Sequence, residues 1–356
     1  MRAVFTTGHV QMQQASTAFW LILFCFPKLG STPILIVMGL ILGLYWAVGS
    51  NLTVEITQEL TEGGGFAIAH QQMFGIALFG SIAKKMKGEN SKRLDDLKFP
   101  GFLSIFNENM VATSILMFLF FGAILMVLGK DYLVEAGFIA ETQNFFFYTM
   151  TTAFNFAVYL AILQLGVRTF VTELTNSFQG ISNSFLPGAV PGIDCAVGFG
   201  SSNAVTVGFL MGALGQFLAI GALLLMHSPT LVIAGFVPVF FDNAVIAVYA
   251  DNRGGIKAAM LLPFISGLIQ VFGSALIAGW VGLSQYGGYL GMFDWATVWP
   301  IFTVIMKYAG YVGVGIVVLI LVAIPQLQYR KHPDTYFLIT EDYDAYLEKV
   351  QAVSAE

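Results

Sequence analysis

Residues 205–226 read VTVGFLMGALGQFLAIGALLLM, a run broken by no Asp, Glu, Lys or Arg. As a helix rising about 1.5 Å per residue, it is long enough to cross a hydrocarbon core of roughly 30 Å. Comparable runs occupy Ile34–Val48 with its flanks, Met110–Leu128, Phe145–Leu165, Leu231–Ala250, Ile256–Trp280 and Val298–Ile324. Apolar residues make up 57% of the 356-residue chain and charged residues 10%. A soluble domain carries about a quarter charged residues, so this surface is suited to lipid. Strict alternation is absent, which argues against a β-barrel. Glycines are spread through the runs, as where helices approach closely. The pattern predicts an all-α polytopic membrane protein with about eight membrane segments.

The net charge of −5 decides little, but the placement of Lys and Arg decides sidedness. The densest basic stretch runs from Lys84-Lys85 through Lys92-Arg93 to Lys98. By the positive-inside rule this loop, 84–98, is cytoplasmic. Counting spans onward puts Lys130–Glu141 outside, Asp251–Lys257 inside, Gly282–Asp294 outside and Arg330-Lys331 inside. The count closes only if Pro187–Ser202 enters and leaves on one side, as a re-entrant hairpin. Residues 1–325 then form the membrane region and 326–356 a cytoplasmic tail, with a short helix over Tyr336–Val350.

Three segments are not plain spans. Met1–Phe26 opens with TTGHVQMQQ before turning apolar; Thr57–Gln72 reads TQELTEGGGFAIAHQQ; Ile181–Asn203 reads ISNSFLPGAVPGIDCAVGFGSSN. Broken backbone at membrane depth is tolerated only where protein or a water-filled cavity satisfies it. Carriers build midplane sites from such interrupted helices, and channels and membrane enzymes use them too. A weak echo between Gly8–Gly30 and Gly235–Gly255 fits an inverted-repeat carrier fold, or chance likeness between Gly-rich helices.

These segments hold the candidate site. His9 and Gln13 lie four apart on one helix face, among Gln11 and Gln14. His70, Gln71 and Gln72 follow three glycines, and Asp194 sits in PGIDC. Imidazole and carboxamide both donate and accept, which suits a polyhydroxylated solute. The competing readings are interhelical hydrogen bonds for the His/Gln clusters and a helix cap or proton relay for Asp194. Asp242 and Asn243 interrupt an apolar run and either line the cavity or stabilise the second half. Cys25 and Cys195 show neither metal spacing nor a structural disulfide pattern. No Walker loop, G-x-S-x-G or H-E-x-x-H occurs, so the reading has no catalytic residue, no metal and no cofactor.

The strings RAVFTTGHVQMQQA, LYWAVGSN, TQELTEGGGFAIAHQQ and LKFPGFLSIFNENMVAT resemble the ascorbate-specific IIC permease of the bacterial phosphotransferase system. GVRTFVTELTNSFQGIS, PGAVPGIDCA, SSNAVTVGFLMGALGQ and GFVPVFFDNAVIAVYADNRGG do so as well. The resemblance runs in order over nearly the whole chain. It implies a homodimer in the bacterial inner membrane, with a scaffold and a moving core that holds L-ascorbate. Partner IIA and IIB proteins perform the phosphoryl transfer, and no nucleic acid is involved. Binding positions carry over to His9, Val10, Gln11, Met12, Gln13, His70, Gln71 and Asp194. The family has further spans before the arginine matching Arg2, so the expectation is a chain covering its C-terminal two-thirds. The alternatives are an ion-coupled secondary transporter that titrates Asp194, and a permease fragment that does not transport.

Overall fold

The computed structural model describes residues 1–96, 109–195, 202–230, 232, 238–286 and 291–355. The chain is an assembly of helices around one very small sheet. Strand β1 (Ala3–Phe5) leads into helix α1 (Gly8–Cys25), followed by α2 (Ser31–Thr61). Strand β2 (Ala67–Ile68) leads into α3 (Met73–Met86). Helices α4 (Asn109–Leu128), α5 (Lys130–Glu135) and α6 (Phe145–Phe185) precede strand β3 (Val190–Ile193). Then come α7 (Ser202–Leu225), α8 (Asn243–Gly254), α9 (Ile256–Trp280), α10 (Phe293–Lys331), α11 (Leu338–Glu341) and α12 (Tyr343–Ala355).

Among the described residues, five helices are long and apolar enough to cross a membrane. They are Ser31–Thr61, Phe145–Leu163, Asn203–Leu225, Ile256–Trp280 and Phe293–Lys331. Met117–Leu128 is a shorter apolar helix. The expected span Leu231–Ala250 takes a different form. Part of it lies outside the described residues. The rest is a π-helical turn at Pro238–Asp242 followed by α8, which is buried along nearly its whole length. Asp242 and Asn243 explain the shortening: polar groups at that depth need protein partners, and a helix enclosed by others supplies them. The tail helix read over Tyr336–Val350 divides into α11 and α12.

Helices α7, α8 and α9 form the tightest packing. A Cβ on Gly267 of α9 would run into the Gly212 carbonyl oxygen of α7, so the two backbones touch with no room for a side chain. Such contact replaces the hydrophobic drive that lipid cannot supply. A second core gathers Leu21, Ile22, Tyr45, Trp295 and Trp299 from α1, α2 and α10. Within α10, Gly310 takes φ +57° and splits the element into two rods.

One end of the molecule collects the charges. Arg253, 5% exposed, bonds Glu59 at 2.7 Å and Glu55 at 3.2 Å, joining α8 to α2. Lys84, which the sequence reading put in a basic loop, lies in the last turn of α3. Together with Lys331 and Lys349, from the tail, it lines one cavity at that end, so the end of α3 and the tail share a face.

The Gly267 contact makes a direct test. Gly267→Val should force α7 and α9 apart and cost about 3 kcal/mol. Thermal unfolding in detergent, read by size-exclusion profile, should show a lower midpoint. An unchanged midpoint would mean that the helices are not in contact there.

Candidate functional site

The three interrupted segments meet in the small sheet. Its order is β1-β3-β2, and both pairings are parallel. Phe5 stands opposite Gly192, and Ile68 opposite Ile193. Beyond the strands, the Thr6 amide donates to the Gly192 carbonyl at 3.0 Å, and the Ala69 amide donates to the Ile193 carbonyl at 2.8 Å. Side chains complete the pairing. The Thr6 hydroxyl donates to the Gly192 carbonyl at 2.5 Å, and the Thr53 hydroxyl to the Ile68 carbonyl at 2.7 Å. The chain reaches β2 through a turn in which Glu62, Gly63 and Gly65 all take positive φ. This is why glycines follow α2.

Parallel strands that each continue into a helix point their carboxyl ends one way. Thr6–Gly8, Ala69–Gln71 and Asp194 consequently stand together beyond one edge of the sheet, at the amino ends of α1 and α3. A helix amino terminus carries unsatisfied N–H groups and partial positive charge. The two termini differ. At α3, the carboxylate of Asp294 accepts from the amides of Phe74 at 3.0 Å and Gly75 at 2.8 Å, and from the Tyr45 hydroxyl at 2.5 Å. At α1, Thr7 is the N-cap residue but makes no side-chain cap bond. Its hydroxyl oxygen is buried without a hydrogen-bond partner.

A buried polar network runs on from there. Gln71 donates to Asp242 Oδ1 at 2.5 Å, and His70 Nε2 lies 3.7 Å from the same oxygen. Gln72 donates to the Asp242 carbonyl at 2.7 Å. Gln14 donates to the Gln71 carbonyl at 3.2 Å and accepts from the Trp46 indole at 2.6 Å. Further in, Gln270 donates to Gln72 Oε1 at 3.4 Å and to Ser266 at 3.0 Å, and accepts from Gln216 at 2.5 Å. Asp242 Oδ2 is buried without a hydrogen-bond partner.

The residues singled out from sequence fall in several places. His70 and Gln71 are buried at the junction. Asp194 is half-buried at the end of β3, next to the buried Cys195. Gln13 is half-buried, its amide 3.8 Å from the sulfur of Met292. Gln11 is half-buried, Val10 packs into the α1–α2–α10 core, and Met12 is 77% exposed. His9 is in the first turn of α1, and its side chain lies outside the described residues. Sequence reasoning left out Tyr45, Gln216, Gln270 and Asp294; it put Gln14 and Gln72 in the candidate clusters and offered Asp242 as a cavity-lining residue, but did not count these three among the binding positions. The available signal was a lone polar residue inside an apolar run, which is costly unless used.

The arrangement offers amides, an imidazole and carboxylates around a junction that two helix ends approach. Among the described residues no group of three or more His, Cys, Asp or Glu is placed to hold a metal ion. The set is suited to hydrogen-bonding a small polar solute.

A family model described as EIIC-GAT, PTS system sugar-specific permease component, matches residues 1–301. A curated relative from Mycoplasma pneumoniae is described as an ascorbate-specific PTS system EIIC component. It is 32% identical over 305 residues, covering 76% of this chain and 46% of the relative. The chain thus spans about half the length of the curated relative it matches.

The Asp294 cap can be tested by itself. Asp294→Ala leaves two backbone amides without an acceptor and leaves the Tyr45 hydroxyl only its longer bond to the Gln71 carbonyl, at 3.4 Å, and should cost about 3 kcal/mol. Asp294→Asn keeps one acceptor oxygen and should cost less. Thermal unfolding of both variants reads the ranking, and equal midpoints would remove Asp294 as the cap.

Proposed function

The chain belongs to the sugar-specific permease component family of the phosphotransferase system, and from that premise we propose that it forms the membrane path and solute site of an L-ascorbate permease. Partner IIA and IIB proteins supply the phosphoryl group, and phosphorylation from the cytoplasmic side traps the solute. The basic loop and the tail lie on that cytoplasmic side of the bacterial inner membrane. The working protein is a homodimer of an inverted-repeat carrier fold with about eight membrane segments, the hairpin around β3 among them.

The observation that carries the reading is the contrast between two helix ends at one junction. The amino end of α3 is filled by Asp294, whereas that of α1 has no side-chain cap and a buried, unpartnered Thr7 hydroxyl. Ascorbate is an anion at neutral pH with a hydroxyl-rich edge. Its enolate is directed to the amino end of α1, where partial positive charge favours it. Its hydroxyls are directed to the acceptors Asp194 and Asp242, whose Oδ2 lacks a partner. Gln13, Gln71 and His70 complete the hydrogen bonding, and His9, Val10, Gln11 and Met12 form the first turns of α1 beside the proposed site. Keeping the enolate away from both carboxylates avoids like-charge repulsion that is large at low dielectric. The name of the Mycoplasma pneumoniae relative supports ascorbate as the solute.

An ion-coupled carrier that titrates Asp194 is the reading to be excluded. Labelled L-ascorbate binding to solubilised permease should weaken about fivefold in Gln71→Ala, the loss of one net hydrogen bond. Asp194→Asn should also weaken binding while uptake into vesicles stays dependent on phosphoenolpyruvate and the phosphotransfer proteins. Uptake driven by a proton gradient alone, and abolished in Asp194→Asn, would establish the ion-coupled carrier instead.

A further inference from the structure

At the charged end of the molecule the tail folds back over α2, and the two line an open cavity of about 390 Å³. It is separate from the sheet-edge site. Its wall carries four Lys and Arg side chains, Arg2, Lys84, Lys331 and Lys349, and one carboxylate, Glu55. Glu55 is already engaged, bonding Arg253 at 3.2 Å. Lys331 and Lys349 are exposed and have no acidic partner within salt-bridge distance among the described residues. Lys84 reaches only Glu59, at 3.8 Å, with its side chain 64% exposed.

Arg2 is the most telling of the four. It is only 4% exposed, yet its guanidinium bonds neutral acceptors: Asn51 Oδ1 at 3.2 Å, the Asn51 carbonyl at 3.3 Å and the Tyr336 carbonyl at 3.1 Å. The Tyr336 ring stacks 3.9 Å from it. A buried charge is ordinarily paired, because burial without a counter-charge is costly; here Glu55 acts on Arg2 through space, with no salt bridge between them among the described residues. Burial and the nearby Glu55 push the Tyr346 hydroxyl up to about 12, so at neutral pH it remains a donor on the same wall. Guanidinium, ammonium and hydroxyl donors around one concave volume make the set that recognises phosphate oxygens.

We propose that this cavity is a binding site for a phosphate group, held by Lys331 and Lys349 over the buried charge of Arg2. The phosphate comes either from an anionic lipid headgroup or from a soluble phosphate ester. The proposal does not depend on which solute crosses the membrane.

The test uses the whole chain in detergent and reads thermal unfolding midpoint against added probe. Inorganic phosphate is compared with chloride at equal ionic strength, and short-chain phosphatidylglycerol with phosphatidylcholine of the same chain length. At least one phosphate probe should raise the midpoint in a saturable way. In the double variant Lys331→Gln, Lys349→Gln the half-saturating concentration should rise about tenfold or more, from the loss of two charge-assisted contacts. Both substitutions are at exposed positions, and the variant without probe should unfold as the parent does. A response to inorganic phosphate assigns the site to soluble phosphates, and a response to phosphatidylglycerol alone assigns it to lipid. No response to either probe, or an identical response in the double variant, overturns the proposal.

Discussion

Backbone that leaves a helix inside a bilayer has no water to bond, so every N–H and C=O it frees must find a protein partner. Three segments of this chain leave their helices, and each one solves the problem for the other two. β3 donates and accepts on both sides, β1 and β2 flank it, and Thr6 and Thr53 cover carbonyls along the strands. Taken alone, a two-residue strand such as Ala67–Ile68 has no reason to form. It forms because its alternative is unpaired amides in an apolar medium, at several kcal/mol for each lost bond. The sheet therefore fixes where α1 and α3 begin, and with them the location of every polar group at the junction.

Once two helix ends are brought to one place, their electrostatics must be managed. The chain does so unequally. Asp294, in the first turn of α10, reaches across to the amides of Phe74 and Gly75, and Tyr45 bonds the same carboxylate from α2. Three helices are thus tied to one buried side chain, and α3 is held firmly where His70 to Gln72 join it. The α1 end has no equivalent. A rigid acceptor-lined wall facing an uncapped helix end combines fixed hydrogen-bonding geometry with positive partial charge. That combination suits a solute that is both hydroxylated and anionic.

Much of this was legible in the sequence. Hydropathy marked Val205–Met226 and Ile256–Trp280, which correspond to α7 (Ser202–Leu225) and α9 (Ile256–Trp280). Gly and Pro marked Thr57–Gln72 and Ile181–Asn203 as broken backbone, and polar residues marked Met1–Phe26 as an interrupted span; the sheet joins these three segments. Hydropathy could not separate a helix facing lipid from one enclosed by protein. For that reason the run through Ala250 read as a span, whereas its described part is a π turn and the buried α8. The network was missed for a related reason. Gln270 and Asp294 are single polar residues in strongly apolar windows, and averaging removes them. Their partners, Gln72 and Gln216 for one, Tyr45 and α3 for the other, are far away in sequence and are brought near only by the fold.

The same sheet connects the junction to the charged face. The Arg2 carbonyl accepts from the Val190 amide at 2.8 Å, which extends the β1–β3 pairing by one residue. The Arg2 side chain turns the other way, to Asn51 and Tyr336. Asn51 in turn donates to Gln328 Oε1 at 2.8 Å and accepts from the Tyr336 hydroxyl at 3.0 Å. A second tie lies nearby, where the Thr340 hydroxyl donates to the Gly188 carbonyl just before β3 at 2.8 Å. Each of these groups is buried or half-buried, so breaking one contact leaves polar atoms without partners. Any displacement of the sheet relative to the tail must therefore break several bonds together. The residue that begins the site strand is also one that lines the basic cavity. A charge arriving in that cavity acts on Arg2 directly, and Arg2 is one hydrogen bond from the strand that carries Asp194.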